Sequence, residues 1–397
     1  MLATSKRSNA IPTSAVRQLA AYEQEATKKG VKVLHLNIGA PDLDVSSVFF
    51  QRICAIESHQ LQYVPSAGVP ELIQEVQTYY KNMGASFEKN EIYVTTGGSE
   101  ALLYAFIALC EAGDRLLVPE PLYSNYISIA KVVEVEIDGI PTTIEEGFHL
   151  PSKEEIVRHI HPKTKAILLS NPANPTGVTY SVEEVKRIAE IAKEHHLWII
   201  ADEVYREYIY DGFATKSFSL LPEVAQQTVI IDSISKRFSA CGARVGFLLT
   251  KNQELAAIFL KLCQSRLSGT TLEQIGAAAL YREDMDFIRR SIPEFKERRD
   301  VMCDLLAKVP GVTLRKPEGA FYLMVGLPVE DSLDFSKWLL TEFAVDQTTV
   351  MLTPGAGFYT TPDKGKNEVR IAYVLNIESI KKAVAIIEAG LKAYNQR

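Results

Sequence analysis

Between residues 91 and 249 the chain repeats one pattern: a short apolar run, a turn, then a longer stretch with apolar residues at helical spacing. The runs fall at 91–95, 115–118, 165–169, 197–201, 229–231 and 245–249. Runs this short and this apolar bury both faces, as strands of a mostly parallel sheet flanked by helices do. The pattern therefore predicts an α/β fold with a central, mostly parallel sheet. Such sheets bind ligands beyond the ends of their strands. The residues that close each run are thus the first candidates for chemistry.

The remainder of the chain follows a different plan. At 397 residues it exceeds one compact core, which implies two domains. Helical stretches at 251–266, 270–281 and 293–309 lead to short strands at 320–325, 345–352 and 368–373, separated by helices at 333–343 and 377–394. That mixture predicts a smaller α+β domain. Near the start, a helix is expected at 11–30, entered at Pro12 and ended at Gly30, followed by a strand at 33–38. The expected division is an arm and part of the small domain at 1–44, a large domain at 45–290, and a small C-terminal domain at 291–397.

A formal charge of −6 provides no basic field, so nucleic acid and anionic membrane are poor partners. The five cysteines (Cys54, Cys110, Cys241, Cys263 and Cys303) form no CxxC pair and have no metal-ligand spacing. Their scatter fits a reducing compartment. Residues 1–14 lack the apolar core of a secretory signal, and no apolar run is long enough to cross a bilayer. A cytoplasmic location and no metal are the expectations.

Polar residues gather at the predicted strand ends. Ser233 and Lys236 follow the run at 229–231, and a glycine-bearing loop then reaches Arg244. A lysine carried into a dry cleft, its pKa lowered by desolvation and neighbouring cations, can form a Schiff base with an aldehyde. Pyridoxal phosphate is the cofactor that uses lysine this way. Taken alone, an ordinary solvated lysine is the simpler reading. Gly97, Gly98 and Ser99 open a helix, an arrangement that suits a phosphate, although a plain tight turn fits almost equally well. Tyr123 stands where a flat ring could stack on it. Asn174 lies between two prolines that fix its direction. Asp202 closes a buried strand and needs either a cation or a helix to cap. Arg370 interrupts an apolar strand, and a substrate carboxylate or a structural salt bridge would satisfy it equally.

In this order, the residues resemble the class I/II, aspartate aminotransferase-like enzymes of fold type I. The resemblance is carried by Gly39-Ala40-Pro41-Asp42, Tyr63, Gly97-Gly98-Ser99, Tyr123, Asn174-Pro175-Thr176-Gly177, Asp202 with Tyr205, Ser233-x-x-Lys236, Arg244 and Arg370. It implies a pyridoxal-phosphate-dependent aminotransferase that moves the amino group of an L-α-amino acid to a 2-oxo acid. By that resemblance Lys236 holds the cofactor and shuttles the proton, and Asp202 keeps the ring nitrogen protonated. Asn174 and Tyr205 meet the ring's phenolic oxygen. Gly98, Ser99, Ser233 and Arg244 form the phosphate cup, and Tyr123 stacks on the ring. Arg370, with the Gly39 backbone and Asn174, receives the substrate carboxylate. Tyr63 reaches the neighbouring subunit's phosphate, which implies a homodimer with shared sites.

Some bacterial aspartate aminotransferases of this group carry a lysine after the paired glycines, where this chain has Ser99. No other arginine or lysine is identifiable for a distal carboxylate, so aromatic or other neutral amino donors are open. A pyridoxal-phosphate C–S β-lyase acting on cystathionine or cysteine conjugates is the alternative that uses the same groups. An effector-binding domain of a transcription regulator ranks far behind, since residues before 30 leave no room for a DNA-binding module.

Overall fold

The computed structural model describes residues 2–397. The six apolar runs, joined at one edge by Glu136–Pro141, a strand the alternation did not mark because only Ile140 of it is fully buried, assemble into a seven-stranded sheet. Its order is Ile92–Thr95, Gly246–Thr250, Thr228–Ser233, Trp198–Asp202, Thr164–Ser170, Arg115–Glu120 and Glu136–Pro141. Only Gly246–Thr250 runs antiparallel to its neighbours. The rest pair in parallel, with Asp202 opposite Ser170 on one side and Ile231 on the other. Parallel strands all end on one edge, so the polar residues that close them meet there. Strand interiors such as Leu168, Ile199, Ile230 and Leu248 are fully buried between helices on both faces. This is the mostly parallel, helix-flanked sheet that the alternation predicts.

A four-stranded antiparallel sheet is ordered Thr353–Pro354, Glu368–Ala372, Tyr322–Gly326 and Thr313–Leu314. A parallel pair joins Lys32–His35 to Thr348–Met351, which ties the N-terminal segment to the C-terminal part. The helix Asp286–Leu306 starts earlier than predicted and contains Pro293. Phe287, Ile288 and Phe295 are buried on either side of that proline, and their packing carries the helix through it.

The helix expected at 11–30 is shorter, at Ala20–Lys28. Ahead of it the chain turns: the Ser14 carbonyl accepts from both Arg17 and Gln18 N–H, and the Asn37 Nδ2 amide takes the Val16 carbonyl at 3.1 Å. A tertiary bond to that carbonyl competes with a helical one, so periodicity overextends the helix. Among the described residues, no helix is long and apolar enough to cross a membrane. No group of His, Cys, Asp or Glu among them could hold a metal ion.

Candidate active site

Where the parallel strands end, the chain encloses a cavity of about 330 Å³. Its wall brings together Gly39, Gly98, Ser99, Tyr123, Asn174, Asp202, Tyr205, Ser233, Lys236, Arg244 and Arg370. Tyr63 is absent from it. That side chain is 80% exposed on a surface loop, because nothing within one chain covers it.

Ser233 ends its strand and caps the one-turn helix Ile234–Arg237, its hydroxyl accepting from the Ser235 N–H at 3.1 Å. The Lys236 Nζ donates to the Gly39 carbonyl at 2.7 Å and lies 3.6 Å from the Cys241 sulfur. Burial pulls this amine down, but Tyr322, Cys241 and Tyr123 outweigh it and leave the amine raised. The expected depression by neighbouring cations is not met, since weak acids surround the amine instead. The adjacent Arg237 is structural. Its Nη2 pairs with both oxygens of the fully buried Asp232 at 2.9 and 2.8 Å, and Arg206 joins the same carboxylate at 3.1 Å.

Asp202 is buried and accepts from the Tyr126 hydroxyl at 2.6 Å. Turns rather than a helix follow it, so it caps no helix, although it accepts from the Val204 N–H at 3.4 Å. Burial, reinforced by Asp232 and Glu203, pushes its carboxyl up to about 6 against the lowering bonds from Tyr126 and Val204 N–H. No cation stands among those influences. A positively charged ring nitrogen would relieve it.

The helix Gly97–Leu109 points its free first-turn N–H groups toward the cavity edge, where Gly98 and Ser99 form part of the wall. Arg244, at φ 52° after a short turn, donates to the Cys241 carbonyl at 3.0 Å and lies against Gly97. A guanidinium beside a helix N-terminus is like charge beside like charge unless an anion joins them. A phosphate dianion fits that spot. The Ser233 hydroxyl, expected as a phosphate donor, is 2.9 Å from the Val245 carbonyl, to which it donates.

Arg370 is 2% exposed in the strand Glu368–Ala372. It donates to Asn174 Oδ1 at 3.0 Å and to the Asn37 carbonyl, with Tyr322 and Phe358 rings beneath it at 4.7 and 5.1 Å. Its Nε has no partner, and burial pushes the group down. No carboxylate among the described residues pairs with it, which disposes of the salt-bridge reading. A buried cation without a counter-ion suits an anionic ligand.

Several wall residues escape a reading of the sequence. Tyr322 bridges the Tyr205 hydroxyl at 2.9 Å and the Gly39 carbonyl at 3.3 Å. A Cβ on residue 39 would occupy the place of the Tyr322 hydroxyl, so glycine is required there. Tyr126, which orients Asp202, lies three residues after Tyr123, and that helical spacing was its one available signal. Ser170, Ser235, Cys241, Val16 and Arg17 also line the cavity without any local pattern announcing them.

The model of the family "Aminotransferase class I and II" matches residues 31–387. An aspartate aminotransferase of Geobacillus stearothermophilus is 29% identical over 98% of each chain. A probable aspartate/prephenate aminotransferase of Aquifex aeolicus is 31% identical, covering 94% of this chain and 95% of its own. Among solved structures, an alanine aminotransferase from Pyrococcus furiosus superposes with a TM-score of 0.90 at 29% identity, over 98% of this chain and all of that one.

Proposed function

The chain belongs to the class I and II aminotransferases, fold type I enzymes that use pyridoxal phosphate, and from that premise we propose which of its residues carry the amino-group transfer. When bound, the cofactor supplies an aldehyde that captures amines and a protonated ring that accepts electrons. Lys236 is the amine that would hold it, and, once released by the incoming substrate amine, its free Nζ would take the proton from the substrate Cα and deliver it to the former aldehyde carbon, two bonds away. Asp202, oriented by Tyr126, keeps the ring nitrogen protonated. Tyr205 and Asn174 face the phenolic oxygen, and Tyr123 lies against the ring. Arg244, Gly98 and Ser99 bind the phosphate, with Ser233 acting chiefly as the cap that shapes the lysine turn.

Arg370 holds the substrate carboxylate with Asn174 and the Gly39 backbone beside it. Fixing that carboxylate sets the direction of the Cα–H bond, so part of the barrier is met by orientation. The observation that carries this reading is the meeting, in one cavity, of Lys236, an acid without a cation and an arginine without an anion.

The same proposal includes a homodimer in which Tyr63 of one subunit reaches the phosphate of the other, a cytoplasmic location, and the division 1–44, 45–290 and 291–397. Exposed Leu61 and Leu267 share a surface with Tyr63, since that loop is bonded to 266–271 through Ser66 and the Leu267 carbonyl. Such a surface suits a partner subunit.

The test is borohydride reduction of the purified, cofactor-loaded protein, followed by peptide mapping and assay of amino acids with 2-oxoglutarate. The expected results are an adduct on Lys236, amino-group exchange, and no turnover by a folded Lys236→Ala variant. An adduct elsewhere, or pyruvate and ammonia without exchange, would refute the allocation.

A further inference from the structure

We propose that Arg17 receives a second, distal carboxylate of the substrate, so that the site selects acidic amino acids and their 2-oxo acids. The inference rests on the aminotransferase reading of the cavity and specifies its substrate class. Four basic side chains line that cavity: Lys236, Arg244, Arg370 and Arg17. The first three have roles above. Arg17 makes no side-chain hydrogen bond or ion pair among the described residues and stands in the wall with its guanidinium uncommitted.

Its backbone, by contrast, is firmly placed. Ala15 and Leu19, on either side, are buried at 6% and 1% exposure. Asn37 ties this segment to the substrate-carboxylate subsite, because its Nδ2 holds the Val16 carbonyl while its own carbonyl accepts from Arg370. One residue thus sets the spacing between the two arginines. Asp202 is the only acid in the cavity wall and has its own role, so nothing there neutralises Arg17. The Arg17 side chain is exposed, and Val16 beside it in the chain also lines the cavity. A planar guanidinium in such a setting matches a carboxylate through two parallel hydrogen bonds.

A hydrogen-bonded charge pair of this kind changes binding by about 10- to 100-fold. The experiment uses the cofactor-loaded enzyme and its Arg17→Gln and Arg17→Lys variants. It measures the dissociation constants of succinate and butyrate, and kcat/KM for L-glutamate, L-aspartate, L-alanine and L-leucine. Wild type should favour succinate over butyrate, and Arg17→Gln should lose about 10- to 100-fold on succinate and the acidic donors. Its loss on butyrate and the neutral donors should be at least ten times smaller, with Arg17→Lys intermediate. An unchanged melting temperature would show that the substitution acts on binding and not on folding. No dicarboxylate preference in wild type, or equal losses on acidic and neutral ligands, would overturn the role of Arg17. Transfer from neutral donors would still stand in that case, leaving the aminotransferase reading intact. Absence of transfer from every donor would sink that reading, while the succinate and butyrate constants would still decide Arg17.

Discussion

Asp202 shows how one buried side chain links stability to cofactor binding. Its carboxyl, ordinarily at 3.8, is held at about 6 by burial. A group that keeps its proton more tightly when folded stabilises the fold while protonated, and that contribution fades as pH rises from about 4 through 6. Above pH 7 the buried charge costs the cofactor-free protein about 3 kcal/mol. Asp202→Asn should therefore melt about 4 °C above wild type at pH 8 without cofactor, with the gap closing at pH 5. Pyridoxal phosphate should stabilise wild type more than this variant. A gap independent of pH would contradict the assignment. Lys236, Asp202 and Arg370 were legible as candidates because a polar group closing or interrupting an apolar strand is conspicuous. Tyr322 was not, since its meaning comes from the Gly39 carbonyl, far away in sequence, and Arg17 was not, since only the folded chain brings it to the cavity wall.

Among the elements, the junction between the strand Ile92–Thr95 and the helix Gly97–Leu109 leaves no room for a side chain. Gly97 adopts φ +73°, and a Cβ there would displace the Arg244 guanidinium. Gly97→Ala should raise the dissociation constant of pyridoxal phosphate by about 10- to 100-fold, the worth of a charge-assisted bond. An absorbance titration checks this, and unchanged affinity would remove Arg244 from the phosphate cup. Six of the seven strands of the large sheet could be placed from the sequence because their apolar runs are bounded by turn residues, whereas the edge strand Glu136–Pro141, mostly half-buried or exposed, has no such run. A serine followed three residues later by a glutamate is the pattern of a helix start, and Ser181 and Glu184 form that capping box with both of its bonds present. Helix ends were harder to place where tertiary bonds intervene, as at Val16, or where packing overrides a proline, as at Pro293.

At the scale of the whole molecule, the large sheet is fastened to the loop before the strand Glu368–Ala372 by one buried acid. The Glu120 carboxylate accepts from the Thr360 N–H at 2.8 Å, the Thr360 hydroxyl at 2.9 Å, and both donors of Thr361. The Leu122 N–H adds a bond to the Phe358 carbonyl at 2.7 Å. Glu120→Ala leaves those threonine donors without an acceptor and should cost about 2 kcal/mol. Trypsin should then cut faster after Lys364 and Lys366, and an unchanged digestion rate would show that other contacts hold the loop. Neither Glu120 nor its threonines stood out in the sequence, because 240 residues separate them. The unmatched charges at 202, 244 and 370 have a consequence beyond chemistry. The chain is translated as an incomplete electrolyte, and the vitamin brings the ions that balance it. Cells short of vitamin B6 should therefore accumulate fewer copies of the polypeptide, because proteases clear a less stable apoprotein faster.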